Sequence, residues 1–208
     1  MAEIIDEKPE MVEIVEVVAE TFGITVEKIL TRSHGRQSKN LARQVSMQRY
    51  LTKMMLFFAP TVNSWRRFVE GTFAPPAFTW GIENRTTAFR VVGEDNNSLR
   101  VENRLPCSDA NPYLVTATML AAGLTGIEEE LQPTAPTVGN GYIPGTGEGE
   151  PLPADMQSAI DTFAVSKHAR KYLGDQFVDA YVSTRSTQLE SFSDKTIIDE
   201  RKRFFELG

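Results

Sequence analysis

Residues 98–114, SLRVENRLPCSDANPYL, constrain the fold more than any other stretch. Arg100, Glu102 and Arg104 alternate with Leu99, Val101 and Leu105. Side chains of an extended strand point alternately to its two faces, so the three charges share one face. Burying such a face is costly unless it meets water, a ligand or a metal. Asn111 and Pro112 then read as a helix start, with Asn111 as N-cap and Pro112 at the first helical position. The stretch predicts a charged strand feeding a helix. Two readings stay open here: a solvated edge strand with a charge ladder, or one wall of a site that holds a charged substrate.

Around this stretch the pattern changes once. Residues 54–59 are an apolar run stopped by Pro60. Residues 78–82, 88–92 and 98–105 carry β-branched and aromatic side chains between turn signals and predict strands. The turn GEDNN at 93–97 predicts an antiparallel hairpin from the last two. Residues 111–131 predict a long helix with Leu114, Ala117, Ala121 and Leu124 along one side, small enough for close packing on a sheet. Residues 132–151 hold five glycines and four prolines, which predicts an irregular loop. From 153 to 205 the pattern is helical, broken near Ser166 and Gly174. Strands followed by helices argue an α+β class.

Charge is spread unevenly. The net charge of −6 and pI near 5.1 argue against the whole chain binding a polyanion. Residues 1–30 carry eight acids and two lysines, whereas 31–53 carry Arg32, Arg36, Lys39, Arg43, Arg49 and Lys53 and no acid. Helical spacing over 11–22, a short helix opened by Thr25 and a third opened by Ser38 predict a small helical unit with one basic edge. The expected division is therefore 1–53 and 54–208. Cys107 is the single cysteine, which excludes an internal disulfide and suits a reducing compartment. It follows Pro106 in a turn with no histidine nearby in sequence, so it is not expected to be a nucleophile. The acidic start argues against a signal peptide, and no apolar run is long enough to span a bilayer. A cytoplasmic protein without membrane association is expected.

Within the first segment, FGITVEKILTRSHGRQSKNLARQVSMQRYL resembles the carboxyl-terminal DNA-binding domain of the bacterial chromosomal replication initiator. The carrying residues are Phe22-Gly23-Ile24 and Ala42-Arg43-Gln44-Val45-Ser46-Met47. The resemblance implies phosphate contacts from Arg32, Arg36 and Arg43, which would position the protein on nucleic acid without reading its sequence. That family's recognition helix has no counterpart, and the likeness stops after Leu51-Thr52.

The second segment is similar to the carboxyl-terminal part of the glutamine synthetase family. The motifs are FFAPTVNSWRRF at 57–68, WGIENRTTAFRV at 80–91, SLRVENRLPCSDANPYL, and the following MLAAGLTGIE. Details lean toward the glutamylpolyamine-type or glutamine synthetase-like branch. Where ammonium-using members carry a glutamate before Ala-Pro, this chain has Phe73 in GTFAPP, which implies room for a bulkier amine. The family uses ATP to phosphorylate a glutamate side chain, and ammonium or an amine then displaces phosphate. The resemblance implies that Arg67 pairs with the glutamate substrate. It implies that Arg104 serves the substrate carboxyl or the moving phosphate, and that Arg85 and Arg90 bind the ATP phosphates, with Arg85 and Arg104 catalytic. It makes Glu102 a ligand of Mg2+ or Mn2+. Planar guanidinium groups suit these oxyanions because they donate paired hydrogen bonds. Arg66 and Arg100 are read as surface charge, and His34 and His168 as surface residues that do not match the family's metal histidine.

The family's other metal ligands and its β-grasp domain lie upstream of these motifs. A partial catalytic domain of a glutamate–amine ligase is therefore expected, acting as a homo-oligomer or needing the missing catalytic half. The alternative is a DNA-binding protein that carries a synthetase remnant, and a third reading is a chain joined near residues 52–56. Half a barrel is expected to expose strand edges.

Overall fold

The computed structural model describes residues 48–93 and 100–205. The apolar run at its start has no polar face and goes to the centre. Helix α1 (Gln48–Leu51) leads through a tight turn (Thr52–Met54) into α2 (Met55–Phe58), all four of whose residues are buried. At about 100° per residue, positions three apart share a side. Met55 and Phe58 accordingly pack with Leu51, Phe78, Phe89, Leu105 and Ala122. Leu56 and Phe57 turn the other way, onto Met156, Ile160, Phe163 and Val178. One short helix thus joins two core clusters. The boundary expected between residues 53 and 54 falls inside this packed run, where Leu51 and Met55 share a cluster.

The sheet has three strands, β1 (Trp80–Ile82), β2 (Phe89–Val92) and β3 (Arg100–Asn103), in the order β1-β2-β3. β2 and β3 are antiparallel, as the turn signal predicts, with Arg90 opposite Glu102 and Val92 opposite Arg100. The expectation of antiparallel strands throughout is corrected at β1, which runs parallel to β2 with Trp80 opposite Phe89 and Ile82 opposite Val91. Parallel neighbours ordinarily need a long crossover. Here residues 83–88 double straight back, held by Asn84 and Thr87: the Thr86 N–H and hydroxyl bond Asn84 Oδ1, and the Thr87 hydroxyl bonds the Asn84 carbonyl.

Residues 132–151 do lack regular structure, yet they have a place. Thr137 N–H donates to Trp80 O at 2.7 Å, the Trp80 indole donates to Thr134 O at 2.9 Å, and Phe78 N–H donates to Glu150 O at 2.8 Å. This loop covers the outer edge of β1, which the sequence reading leaves exposed. Glycine is required for the approach: a Cβ on Gly149 would lie 2.5 Å from the Phe78 carbonyl oxygen.

Helix α3 (Pro112–Glu128) begins where Asn111 predicts, with Asn111 Oδ1 accepting from Tyr113 and Leu114 N–H at 2.9 and 3.3 Å. Its small residues Ala117, Ala121 and Ala122 are buried. Four helices follow: α4 (Met156–Ala164), α5 (Lys167–Leu173), α6 (Asp175–Ser191) and α7 (Ile197–Phe204). The expected breaks are real, since Ser166 caps α5 and Gly174 turns into α6 at φ +81°. One break was not expected: Thr196 and Asp199 form a reciprocal capping box that opens α7. The helices predicted before residue 48, with Arg32, Arg36 and Arg43, lie outside the described residues. Among the described residues no helix is long and apolar enough to cross a membrane.

Candidate functional site

The β2–β3 register sets Arg90 beside Glu102 on one sheet face. Arg90 donates to Glu102 Oε2 at 3.2 Å, and Arg104, just past the end of β3, donates to Glu102 Oε1 at 2.6 Å. The other end of Arg90 pairs with Glu83, which follows β1. The other end of Arg104 donates to the Phe73 carbonyl at 3.1 Å. The result is an ordered row: Glu83, Arg90, Glu102, Arg104 and the Phe73 carbonyl. The two arginine side chains are 18% and 15% exposed and Glu102 is 38% exposed, so the carboxylate is reachable while its cations are largely sunk. Nε of Arg90 and Nε of Arg104 are buried without a partner among the described residues. The hydrogen bond from Arg90 holds the Glu83 carboxyl below the usual range, and the same bond raises Arg90.

Arg85 stands apart from this row. It is exposed on the 83–88 return, and no hydrogen bond or ion pair ties it to another described residue. With Phe73, Glu83, Asn84, Pro136 and Val138 it lines a cavity of about 540 Å3. Phe73 is 56% exposed and sits at φ +57°, an uncommon backbone region for a bulky residue. Its carbonyl is held there by Arg104.

Arg67, expected to meet the glutamate substrate, is placed differently. Its guanidinium donates to the carbonyls of Arg104 at 2.7 Å and Leu105 at 2.9 Å. It fixes the chain leaving β3 rather than joining the charged row. Arg66, read as surface charge, makes a two-pronged pair with the buried Glu200 of α7 at 3.0 and 2.8 Å. His168 is corrected from a surface residue to a packed one. Its ring stacks on Tyr50 with centroids 4.2 Å apart and lies 4.6 Å from Tyr172. Burial, helped by nearby Lys171, lowers its pKa to about 4. Burial also pushes the Cys107 thiol up, against the use of Cys107 as a nucleophile. Sequence reasoning missed Glu83. Its signal was available: an acid seven positions before Arg90, across a return that brings the two strands side by side.

The donor set decides which group fits. Among the described residues no three or more His, Cys, Asp or Glu side chains gather in a way that could hold a metal ion. Glu102 alone, already bridging two guanidinium groups, would be at most one ligand of a divalent ion. Arg85, which has no partner among the described residues, suits an oxyanion such as phosphate or carboxylate, and Arg90 and Arg104 add positive charge beside it.

The architecture so far defines a class, an α+β domain whose small mixed sheet carries an arginine-lined acidic centre beside a cavity. The chain belongs to the glutamine synthetase family, whose catalytic domain it matches over residues 14–204. That match takes in most of the stretch expected to be a separate DNA-binding fragment. The chain is 42% identical over 157 residues to gamma-glutamylethanolamide synthetase GlnA4 of Streptomyces coelicolor, covering 75% of this chain and 33% of that protein. It is 36% identical over 167 residues to gamma-glutamylputrescine synthetase PuuA of Escherichia coli, covering 80% and 35%. Among solved structures, the complex of GmaS with ADP superposes with a TM-score of 0.66 at 27% identity, covering 83% of this chain and 40% of that one. The chain spans about a third of the length of the curated relatives it matches.

Proposed function

We propose that this chain supplies the arginine-bearing part of an ATP-dependent ligase site, which joins the side-chain carboxylate of glutamate to an amine through a glutamyl phosphate. ATP, when bound, provides the phosphoryl group. Transfer of that group is chiefly a matter of positioning and of neutralising spread negative charge. Arg85, at the cavity, binds phosphate oxygens. Arg90 and Arg104 stabilise charge that develops between donor and acceptor, and Glu102 orients both guanidinium groups. Glu102 also offers one carboxylate to a divalent Mg2+ or Mn2+ ion, with the remaining ligands coming from elsewhere in the assembled enzyme. Arg67 acts indirectly, by fixing the backbone of Arg104.

The observation that carries this reading is the row in which Arg90 and Arg104 share Glu102 while Arg85, unpaired among the described residues, lines the cavity. A substituted amine is favoured over ammonium as acceptor. Phe73 and Val138 give the cavity apolar walls, and the relatives include a gamma-glutamylethanolamide synthetase, a gamma-glutamylputrescine synthetase and a glutamate–isopropylamine ligase. Completion of the site by a second copy or by a chain bearing the upstream half belongs to the same proposal. The test is to incubate the chain with ATP, Mn2+, glutamate and a panel of ammonium, ethanolamine, putrescine and isopropylamine. Phosphate and amide are measured together. The mixture is run with the chain alone and with a chain bearing the upstream half added. Amine-dependent release of both products in either mixture, lost in Arg85→Ala, supports the reading; the absence of either product with every amine in both mixtures contradicts it.

A further inference from the structure

Arg85 has no hydrogen-bond or ion-pair partner among the described residues, yet the residues on either side of it are held tightly. Asn84 Nδ2 donates to the carbonyls of Gly139 at 2.8 Å and Thr137 at 3.3 Å. Asn84 Oδ1 accepts from the Thr86 N–H at 3.0 Å and from the Thr86 hydroxyl at 2.6 Å. The Thr86 hydroxyl in turn accepts the Gly141 N–H at 2.7 Å. Every donor and acceptor position of the Asn84 amide is thereby used. The loop comes close enough that a Cβ on Gly141 would lie 2.9 Å from both Thr86 O and Thr86 Oγ1, nearer than real Cβ contacts come.

The return that bears Arg85 and the loop that forms the opposite cavity wall are therefore fastened by two side chains that themselves carry no charge. We infer that Asn84 and Thr86 are positioning residues for Arg85, setting its guanidinium where an oxyanion enters the cavity. The inference rests on the phosphate-binding reading above. Long exposed arginines lose side-chain entropy when they bind, and a fixed backbone on both sides reduces the part still to be lost.

The probe is inorganic triphosphate, with affinity measured on the whole chain at several salt concentrations. Arg85→Ala is expected to weaken binding about tenfold and to flatten its salt dependence, because a charge-assisted hydrogen bond and a screened charge are both removed. Asn84→Ala and Thr86→Val remove no charge, yet both are expected to reproduce the weaker affinity and the flatter salt dependence. A purely structural role would leave the salt dependence as it was. Thr86→Ser, which keeps the hydroxyl, is expected to bind as wild type. In an Arg85→Ala background, Asn84→Ala is expected to add nothing further. Should Asn84→Ala fail to fold, Thr86→Val against Thr86→Ser decides the same point. Wild-type affinity in Thr86→Val, or a further loss in the double variant, would overturn the positioning role and leave the phosphate reading intact. If wild-type protein does not bind triphosphate, both fall together.

Discussion

Glu102 accepts one arginine on each carboxylate oxygen. A carboxylate shared in this way fixes two cations while remaining partly open to solvent, which suits a residue that holds a charged site in order. Arg66 does a different job at the far end of the chain, where it neutralises the buried Glu200 of α7. Removing Arg66 strands that carboxylate, so Arg66→Ala is expected to lower stability by about 2–3 kcal/mol in urea unfolding, whereas Glu200→Met is expected to cost less. His168 predicts a pH dependence. The unfolded chain takes up a proton near the ordinary value of 6.5, whereas the folded chain resists until about 4. The stability contributed by the neutral ring is complete above pH 6.5 and is lost as pH falls toward 4. The thermal midpoint is expected to drop across that window, and His168→Phe is expected to flatten the drop.

At the level of elements, local chemistry and packing can be tested separately. Asp155 caps α4 by accepting from the Ser158 N–H at 2.8 Å, and Asp155→Ala is expected to cost about 1 kcal/mol by the same urea measurement. Phe58 is fully buried between α2 and the sheet, and Phe58→Ala is expected to cost about 3–5 kcal/mol. Much of this was legible beforehand, because its causes are local. The alternation at 100–105, the cap at Asn111, the breaks at Ser166 and Gly174 and the β2–β3 turn each depend on a few neighbouring residues. What could not be read depends on distant partners. The parallel β1 follows from a side-chain clamp at Asn84, and the covering of its edge depends on a loop more than fifty positions away in sequence. His168 looked like a surface residue because nothing near it in sequence announces Tyr50 as a stacking partner.

On the scale of the whole molecule, two core clusters meet at α2, and the charged row crosses one face of the small sheet. The arginines suit an oxyanion, proposed above to be one carried by a nucleotide; this chain spans about a third of its curated relatives. The sequence motifs single out Arg85, Arg90, Glu102 and Arg104 as candidates, and the structure brings the last three into contact. Arg67 was identified too, but its reach to backbone carbonyls is a property of the folded loop that no spacing reveals. The most direct measurement is calorimetric titration of ATP with Mg2+ into the intact chain and into Arg85→Ala and Arg90→Ala. The account predicts saturable binding to the wild type, weakened about tenfold or more in each variant. Heat of binding that is absent, or unchanged when either guanidinium is removed, would contradict it.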